Sequence, residues 1–222
     1  PYAILSGLVG SEMCIRDRPY HCGELGRALA HMHLAGDDFA LRRSNDLSVQ
    51  SWRPLLCRSA DRADEIQQGL AEDLETELAA LELNWPDTLP CGIIHADLFP
   101  HNVFFRGPEL TGLIDFYFAC TGAMAYDLAV THAAWCFDDA GETCDHALGR
   151  ALIEGYESVR TLSEQERAAL PLLAEGACLR FIASRAQDWL DTPEDALVRR
   201  KDPMDFTRRL EFYRASGQRA FA

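Results

Sequence analysis

The chain has 222 residues and 48% hydrophobic content, which is enough for one large or two small domains with a substantial core. Its formal net charge of −14 argues against nucleic acid or an anionic membrane as the main partner, because the surface would repel both. No apolar run approaches the ~20 residues of a membrane span. The eight cysteines contain no Cys-x-x-Cys pair and no zinc-like grouping with histidine, so we expect reduced thiols in a cytoplasmic protein.

The first residues of the chain look foreign to the rest of it. They lack the basic start of a signal peptide. Residues 11–18, Ser-Glu-Met-Cys-Ile-Arg-Asp-Arg, resemble the translated remnant of a sequencing adapter. We therefore expect residues 1–18 to be a non-native or disordered extension, with the natural sequence resuming near Pro19.

The next segments are mostly helical in pattern. Apolar residues at helical spacing predict a helix over 21–35, which Gly36 ends. Residues 37–56, which include Trp-Arg-Pro, are expected to form an ordered irregular loop. Residues 60–83 are predicted to form one long acidic helix with a solvated charged face and an apolar stripe. The stripe residues are Ile66, Leu70, Leu74, Leu78 and Leu81.

Short strands are predicted around a polar loop in the centre of the chain. Residues 91–94 are apolar and lead into His-Ala-Asp-Leu-Phe-Pro-His-Asn at 95–102. Two further short strands, 103–106 and 111–114, flank a Gly/Pro turn and predict a hairpin.

Polar side chains at the mouth of this hairpin suit phosphoryl transfer. If the turn is symmetric about Pro108 and Glu109, Asn102 and Asp115 face each other with Cβ atoms roughly 4.5–5.5 Å apart. An amide oxygen and a carboxylate are hard donors that suit Mg²⁺. Asp97, in the loop before the hairpin, could accept a proton from an attacking hydroxyl.

The His-x-Asp-x-x-x-x-Asn loop and the later Asp-Phe pair resemble the catalytic and metal-binding segment of the aminoglycoside phosphotransferase and choline kinase superfamily. These proteins are relatives of protein kinases that phosphorylate small molecules. The resemblance implies an α+β, mostly helical fold in which residues 19–222 form the C-terminal lobe of a protein-kinase-like structure. That lobe would carry the catalytic loop at 95–102 and, after a short β-hairpin at the active site, the metal-binding Asp115.

The resemblance also implies a role for each residue of the motif. Asp97 would be the catalytic base. Asn102 and Asp115 would hold Mg²⁺, and together with His95 they would form the contacts to ATP. A metal-dependent hydrolase fits less well, because two oxygen ligands without a histidine cluster make a poor two-metal site.

Lysine usage points to a missing part. Of the 21 basic residues only Lys201 is a lysine, and no Gly-x-Gly-x-x-Gly occurs. Kinases of this type hold the phosphates with an N-lobe lysine beneath a glycine-rich loop. We therefore expect the N-terminal lobe to be missing here and this truncated form to be inactive.

The second half of the chain predicts further helices and a small-molecule substrate. Phe116 is not followed by glycine, and no Ala-Pro-Glu occurs, so a protein-kinase activation segment is not expected. Ser163 and Glu166 form a predicted capping box. Helices are predicted over 123–137, over 145–159, from this box to about residue 190, and over 203–215.

Segments that flank the motif resemble the bacterial homoserine kinases of this superfamily. The resemblance implies ATP-dependent phosphorylation of homoserine, giving O-phosphohomoserine on the route to threonine. His101 departs from the pattern, because an acidic residue is usual there. The resembling segments are 26–36, 92–105, 113–120, 125–129, 179–181, 188–190 and 201–203.

The residues expected at the substrate are Tyr117, Arg180, Arg185 and Asp188. Arg185, Asp188 and Trp189 share one helix face. They could grip a zwitterionic substrate, or they could form an ordinary helix-surface ion pair. Two alternatives to homoserine phosphorylation stay open: a kinase for another amino alcohol, such as choline or an aminoglycoside, and a non-catalytic isolated C-terminal lobe.

Overall fold

The computed structural model describes residues 19–193 and 200–222. The predicted extension at residues 1–18 lies outside the described residues. The α-helices are α1 (Pro19–Ala35), α2 (Val49–Cys57), α3 (Leu70–Asn84), α4 (Met124–Trp135), α5 (His146–Glu157), α6 (Glu164–Asp191) and α7 (Met204–Ser216). The strands are β1 (Cys91–Ile94), β2 (Val103–Arg106), β3 (Glu109–Leu113) and β4 (Cys120–Ala123). Among the described residues, no helix is long and apolar enough to cross a membrane.

The core is built on α4 and α6. Nearly all side chains of α4 are buried, because α1, α5, α6 and β1 surround it. Helix α6 packs against α4 and α7, and its N-cap is Ser163, whose side chain accepts from the Glu166 backbone N–H. The Glu166 carboxylate accepts in turn from the Ser163 backbone N–H at 2.9 Å, so the predicted capping box is confirmed.

Helices α1 and α5 lie with their backbones in direct contact. A Cβ atom at Gly26 would overlap the backbone oxygen of Leu152, and one at Gly155 would overlap the backbone of Gly23. Glycine is needed at both positions because no side chain fits between the two helices.

Two small antiparallel sheets carry the polar loop. Strand β1 pairs with β4, and β2 pairs with β3. The β1–β4 pairing was not predicted, since residues 116–122 were expected to lead directly into a helix. The pairing places the loop after β1 beside the chain that leaves β3.

The hairpin register differs from the expected one. Arg106 pairs with Glu109, and a bulge lies between Phe104 and Phe105. As a result, the Ile114 backbone N–H donates to the Asn102 carbonyl oxygen at 3.0 Å. The expectation that Asn102 faces Asp115 was therefore wrong by one residue, because the turn is tighter and the bulge shifts the pairing.

Two predictions for the segments before β1, one of a loop and one of a helix, were wrong in part. The second half of the expected loop at 37–56 is helix α2, in spite of Pro54. Trp52 explains this outcome: it is fully buried, its Nε1 donates to the Leu47 carbonyl oxygen at 2.8 Å, and its ring packs on Trp85. Burial of this side chain outweighs the helix-breaking tendency of proline.

The expected single helix at 60–83 is two elements. A 3₁₀ helix, Ala60–Glu65, precedes α3, and Gly69 between them has a left-handed φ of +86°. The apolar stripe is nevertheless correct, since Leu70, Leu74, Leu78 and Leu81 are buried. Helical spacing predicted the buried face, but it did not reveal the break.

Candidate active site

His95 joins the polar loop to the end of β3. The ring is fully buried, and its Nε2 donates to the Ile114 carbonyl oxygen at 2.9 Å. Its Nδ1 accepts from the Asp97 backbone N–H at 3.3 Å, which assigns the Nε2-protonated tautomer. His95 therefore connects the residues before Asp115 with the backbone of Asp97.

Asp127 anchors the same loop from the core. This fully buried carboxylate on α4 accepts from the backbone N–H groups of His95 and Ala96, both at 2.7 Å, and from His33 Nε2 at 3.1 Å. Burial by itself would raise the pKa of Asp127, but these hydrogen bonds and the His33 charge outweigh it and lower the pKa. The carboxylate is thus stabilised in its ionised form at the base of the loop.

Ala96 has an unusual backbone conformation. Its φ of +62° lies in the left-handed region, which costs about 1–2 kcal/mol for a residue with a Cβ atom. Asp127 holds its N–H, and the Arg180 guanidinium donates to its carbonyl oxygen. Contacts on both sides of the residue offset the strain and set the direction in which Asp97 leaves the loop.

Asp97 lies in a partly desolvated position. Its side chain is 17% exposed, and a carboxylate oxygen lies 3.6 Å from Arg180 Nη2. Burial raises the pKa of this carboxyl above its ordinary value, and the Arg180 charge opposes that rise. A carboxylate with a raised pKa is a stronger proton acceptor, provided that it stays ionised at the working pH.

Asn102 and Asp115 supply the oxygen donors of the site. The Asn102 Nδ2 donates to the Asp97 carbonyl oxygen at 2.9 Å, which leaves Oδ1 available to a cation. Asp115 is exposed and has a left-handed φ of +63°, and it follows Ile114, the backbone partner of Asn102. Both are hard donors that fit Mg²⁺, which keeps water and phosphate oxygens as its remaining ligands. Within the described ranges, no group of three or more His, Cys, Asp or Glu side chains could hold a metal.

Comparison with known proteins identifies the family. The sequence profile of the family described as "Phosphotransferase enzyme family" matches residues 1–162. The chain belongs to this family. The resemblance seen in the loop motif is therefore confirmed for the family as a whole.

Relatives of this chain include bacterial homoserine kinases. The homoserine kinase of Xanthobacter autotrophicus is 54% identical over 97% of this chain and 66% of the relative. That of Rhizobium etli is 51% identical over 99% of this chain and 68% of the relative. The chain thus spans slightly less than two thirds of the length of the Xanthobacter protein.

The fold of this chain also matches solved structures. An ethanolamine kinase from Plasmodium vivax has a TM-score of 0.65 and 16% identity, covering 96% of this chain and 63% of that chain. This likeness shows the fold alone. The expected mostly helical, kinase-like architecture is confirmed.

The fold brings only some of the predicted substrate residues to the loop. Arg180 contacts Asp97, and Tyr117 lies just beyond Asp115 with 72% of its surface exposed. Arg185 pairs with Asp205 at 3.3 Å instead of the expected Asp188, which is exposed. The Arg185–Asp188 ion pair on the surface of α6, which was one of the two expected outcomes, is therefore replaced by an ion pair between α6 and α7.

Sequence reasoning missed the residues that anchor the loop. Asp127 and His33 were noted only within the resembling segments 125–129 and 26–36. The available signal was a carboxylate inside the otherwise apolar stretch of α4, since a buried charge needs partners. Lys201 was also missed: its amine lies 5.8 Å from the centre of the Phe99 ring, on the catalytic loop.

Proposed function

We propose that the full-length gene product transfers the γ-phosphoryl group of ATP to the hydroxyl of L-homoserine, in the cytoplasm and on the route to threonine. The product is O-phospho-L-homoserine. The 54% identity to a homoserine kinase over 97% of the chain supports this acceptor. The observation that carries the proposal is the partly buried Asp97 carboxylate, held on a strained loop beside the Asn102 and Asp115 oxygen donors.

Asp97 acts as the proton acceptor in this proposal. Its carboxylate orients the acceptor hydroxyl and takes the proton as the oxygen attacks the phosphorus. The raised pKa of Asp97 favours that transfer, while Arg180 keeps the group ionised before the reaction. Because phosphoryl transfer passes through a loose transition state, most of the rate gain comes from positioning and charge neutralisation.

Asn102 and Asp115 hold Mg²⁺ in this proposal. Mg²⁺ bound there would neutralise negative charge on the ATP phosphates. The contact between Asn102 and the Asp97 backbone keeps the amide oxygen turned away from the loop. Metal binding and proton acceptance are thus coupled through one short segment of backbone.

His95, Asp127 and Arg180 position these groups. The His95 ring nitrogens both have protein partners, so we assign it the role of joining Asp97 to the Asp115 segment near the nucleotide. Arg180 supports the loop through Ala96 and Asp97. Tyr117 lies near enough to the exposed Asp115 to border the entrance of the site.

The test is release of ADP by the full-length gene product with ATP and Mg²⁺. Homoserine is compared with choline and with an aminoglycoside as acceptors. A clear preference for homoserine in kcat/KM supports the proposal. Turnover of another acceptor alone keeps the roles of Asp97, Asn102 and Asp115 and rejects homoserine as the substrate.

We also propose that the 222-residue chain is inactive by itself and that residues 19–222 act as the C-terminal lobe. No lysine precedes the catalytic loop to hold the phosphates. The same ADP assay on this chain alone is expected to give no signal above the rate without enzyme. Turnover of homoserine by this chain would show that another group holds the phosphates.

A further inference from the structure

An aromatic cluster supports the catalytic loop from the side of α6 and α7. The rings of Phe99 and Phe181 lie 4.9 Å apart, and those of Phe181 and Phe206 lie 4.8 Å apart. Four cationic side chains lie against these rings. They are Arg180 at 4.5 Å from Phe181, Arg185 and Arg209 at 4.5 and 4.4 Å from Phe206, and Lys201 at 5.8 Å from Phe99.

The three arginines are occupied by acceptors within the protein. Arg180 donates to the Ala96 carbonyl oxygen and lies beside Asp97. Arg185 pairs with Asp205 at 3.3 Å. Arg209 donates to the carbonyl oxygen of Asp138 at 2.9 Å. Each guanidinium is thus held by a protein acceptor, and Arg209 Nε, which has no hydrogen-bond partner among the described residues, is buried away from anions in solvent.

Lys201 differs from the arginines. Its side chain is exposed, and among the described residues no carboxylate lies within ion-pair distance of its amine. Its contact is with the ring of Phe99, two residues beyond Asp97 in the catalytic loop. Lys201 thus provides a cation beside the catalytic loop, in a chain with net charge −14, that is left available to an anion from solvent.

The backbone on either side of Lys201 is held in place. Arg185 Nη1 donates to the Asp202 carbonyl oxygen at 3.1 Å, and the Asp202 carboxylate accepts from the Met204 backbone N–H at 2.8 Å. The Arg200 guanidinium stacks on the Trp189 ring at 4.5 Å from its centre. These contacts place the lysine at a defined point beside the loop, so less entropy is lost when it binds a ligand.

We propose that Lys201 binds the α-carboxylate of the amino-acid acceptor, with the Phe99 ring forming the floor of this subsite. The inference rests on the proposed function. With the acceptor hydroxyl at Asp97, the carboxylate is separated from it by a short carbon chain and would be repelled by the acidic surface. A cation held against Phe99, two residues beyond Asp97, offsets that repulsion.

The test measures the kinetic constants of Lys201→Ala in the full-length gene product, with L-homoserine and with L-homoserinamide, an analogue in which a carboxamide replaces the carboxylate. We expect the KM for homoserine to rise by about 10- to 100-fold, as for the loss of a hydrogen bond to a charged group. The kcat and the KM for ATP stay close to wild type. The KM for homoserinamide does not rise in the variant, because this analogue has no carboxylate for Lys201 to bind.

Two further variants separate binding from a structural effect. Lys201→Arg keeps the charge and is expected to recover most of the affinity for homoserine. Arg150→Ala removes an exposed cation on α5 and is expected to change nothing. An unchanged KM in Lys201→Ala, or an equal rise for homoserine and homoserinamide, overturns the subsite alone. Absence of homoserine turnover by the wild type overturns the proposed function and the subsite with it.

Discussion

Replacement of Asp127 by asparagine tests whether a buried carboxylate holds the catalytic loop. The wild-type side chain accepts from two backbone N–H groups of the loop and from His33. Asparagine has nearly the same shape, but it offers one acceptor oxygen and turns an N–H group toward the remaining donors. The substitution therefore removes the charge and at least one hydrogen bond without leaving a large cavity.

The expected effects on stability and catalysis are large. Removal of one partner from a buried, hydrogen-bonded charge network costs about 3–5 kcal/mol, and we expect the free energy of unfolding to fall by that amount. The left-handed backbone of Ala96 then loses part of the support that offsets its strain. A displacement of about 1 Å at Asp97 would lower kcat on the order of 100-fold.

The measurement combines urea unfolding, followed by tryptophan fluorescence, with kcat in the full-length gene product. Asp145→Asn is the matched control: Asp145 also accepts from two backbone N–H groups, but it is the exposed N-cap of α5. Asparagine is as good an N-cap as aspartate, so the control is expected to keep both its stability and its kcat.

The pH dependence adds a second readout. Because the folded-state pKa of Asp127 is lowered, its stabilising effect is present above the ordinary carboxyl pKa and is lost as the pH falls through the folded value. The difference in unfolding free energy between wild type and Asp127→Asn should therefore shrink below about pH 4. Equal stability of Asp127→Asn and Asp145→Asn, or a normal kcat in Asp127→Asn, would show that other contacts hold the loop.

Single contacts give three further predictions. Asp97→Ala is expected to abolish turnover and preserve ATP binding, whereas Asp115→Ala is expected to abolish turnover and also to weaken Mg²⁺-dependent ATP binding. Calorimetric titration of ATP with and without Mg²⁺ distinguishes the two variants. Equal loss of ATP binding in both variants would contradict the proposed roles. Burial lowers the pKa of His132 to about 3, so folding excludes a proton that the unfolded chain binds below its ordinary pKa of 6.5. Between pH 7 and pH 5 this proton exclusion lowers the wild-type free energy of unfolding by up to about 2 kcal/mol, and His132→Gln should remove that loss. Urea unfolding at both pH values measures it. An unchanged pH dependence in the variant would show that His132 is not its source. Gly26→Ala should destabilise the protein by about 1–3 kcal/mol, because the added Cβ atom meets the backbone of α5. Gly23→Ala on the same helix is the control, since its Cβ atom makes only ordinary contacts. Similar melting temperatures for the two variants would contradict the close packing of α1 on α5.

Local patterns in the sequence were sufficient for most of the helices and for the catalytic motif. The capping box at Ser163 and the buried stripe of α3 depend on residues three or four positions apart, so their spacing is visible in the sequence itself. The loop motif contains Asp97 and Asn102, and the family match confirms the resemblance that it indicated. Their individual roles stay predictions.

The tertiary structure decided what holds the motif in place. Asp127 meets His33, 94 residues earlier in the chain, and Lys201 meets Phe99 across the junction of α6 and α7. The tight turn and the bulge of the hairpin together placed Ile114, and not Asp115, opposite Asn102, and burial of Trp52 produced a helix around a proline. Residue spacing within one segment could not predict these contacts, because each depends on the burial and hydrogen bonding that arise when distant segments pack together.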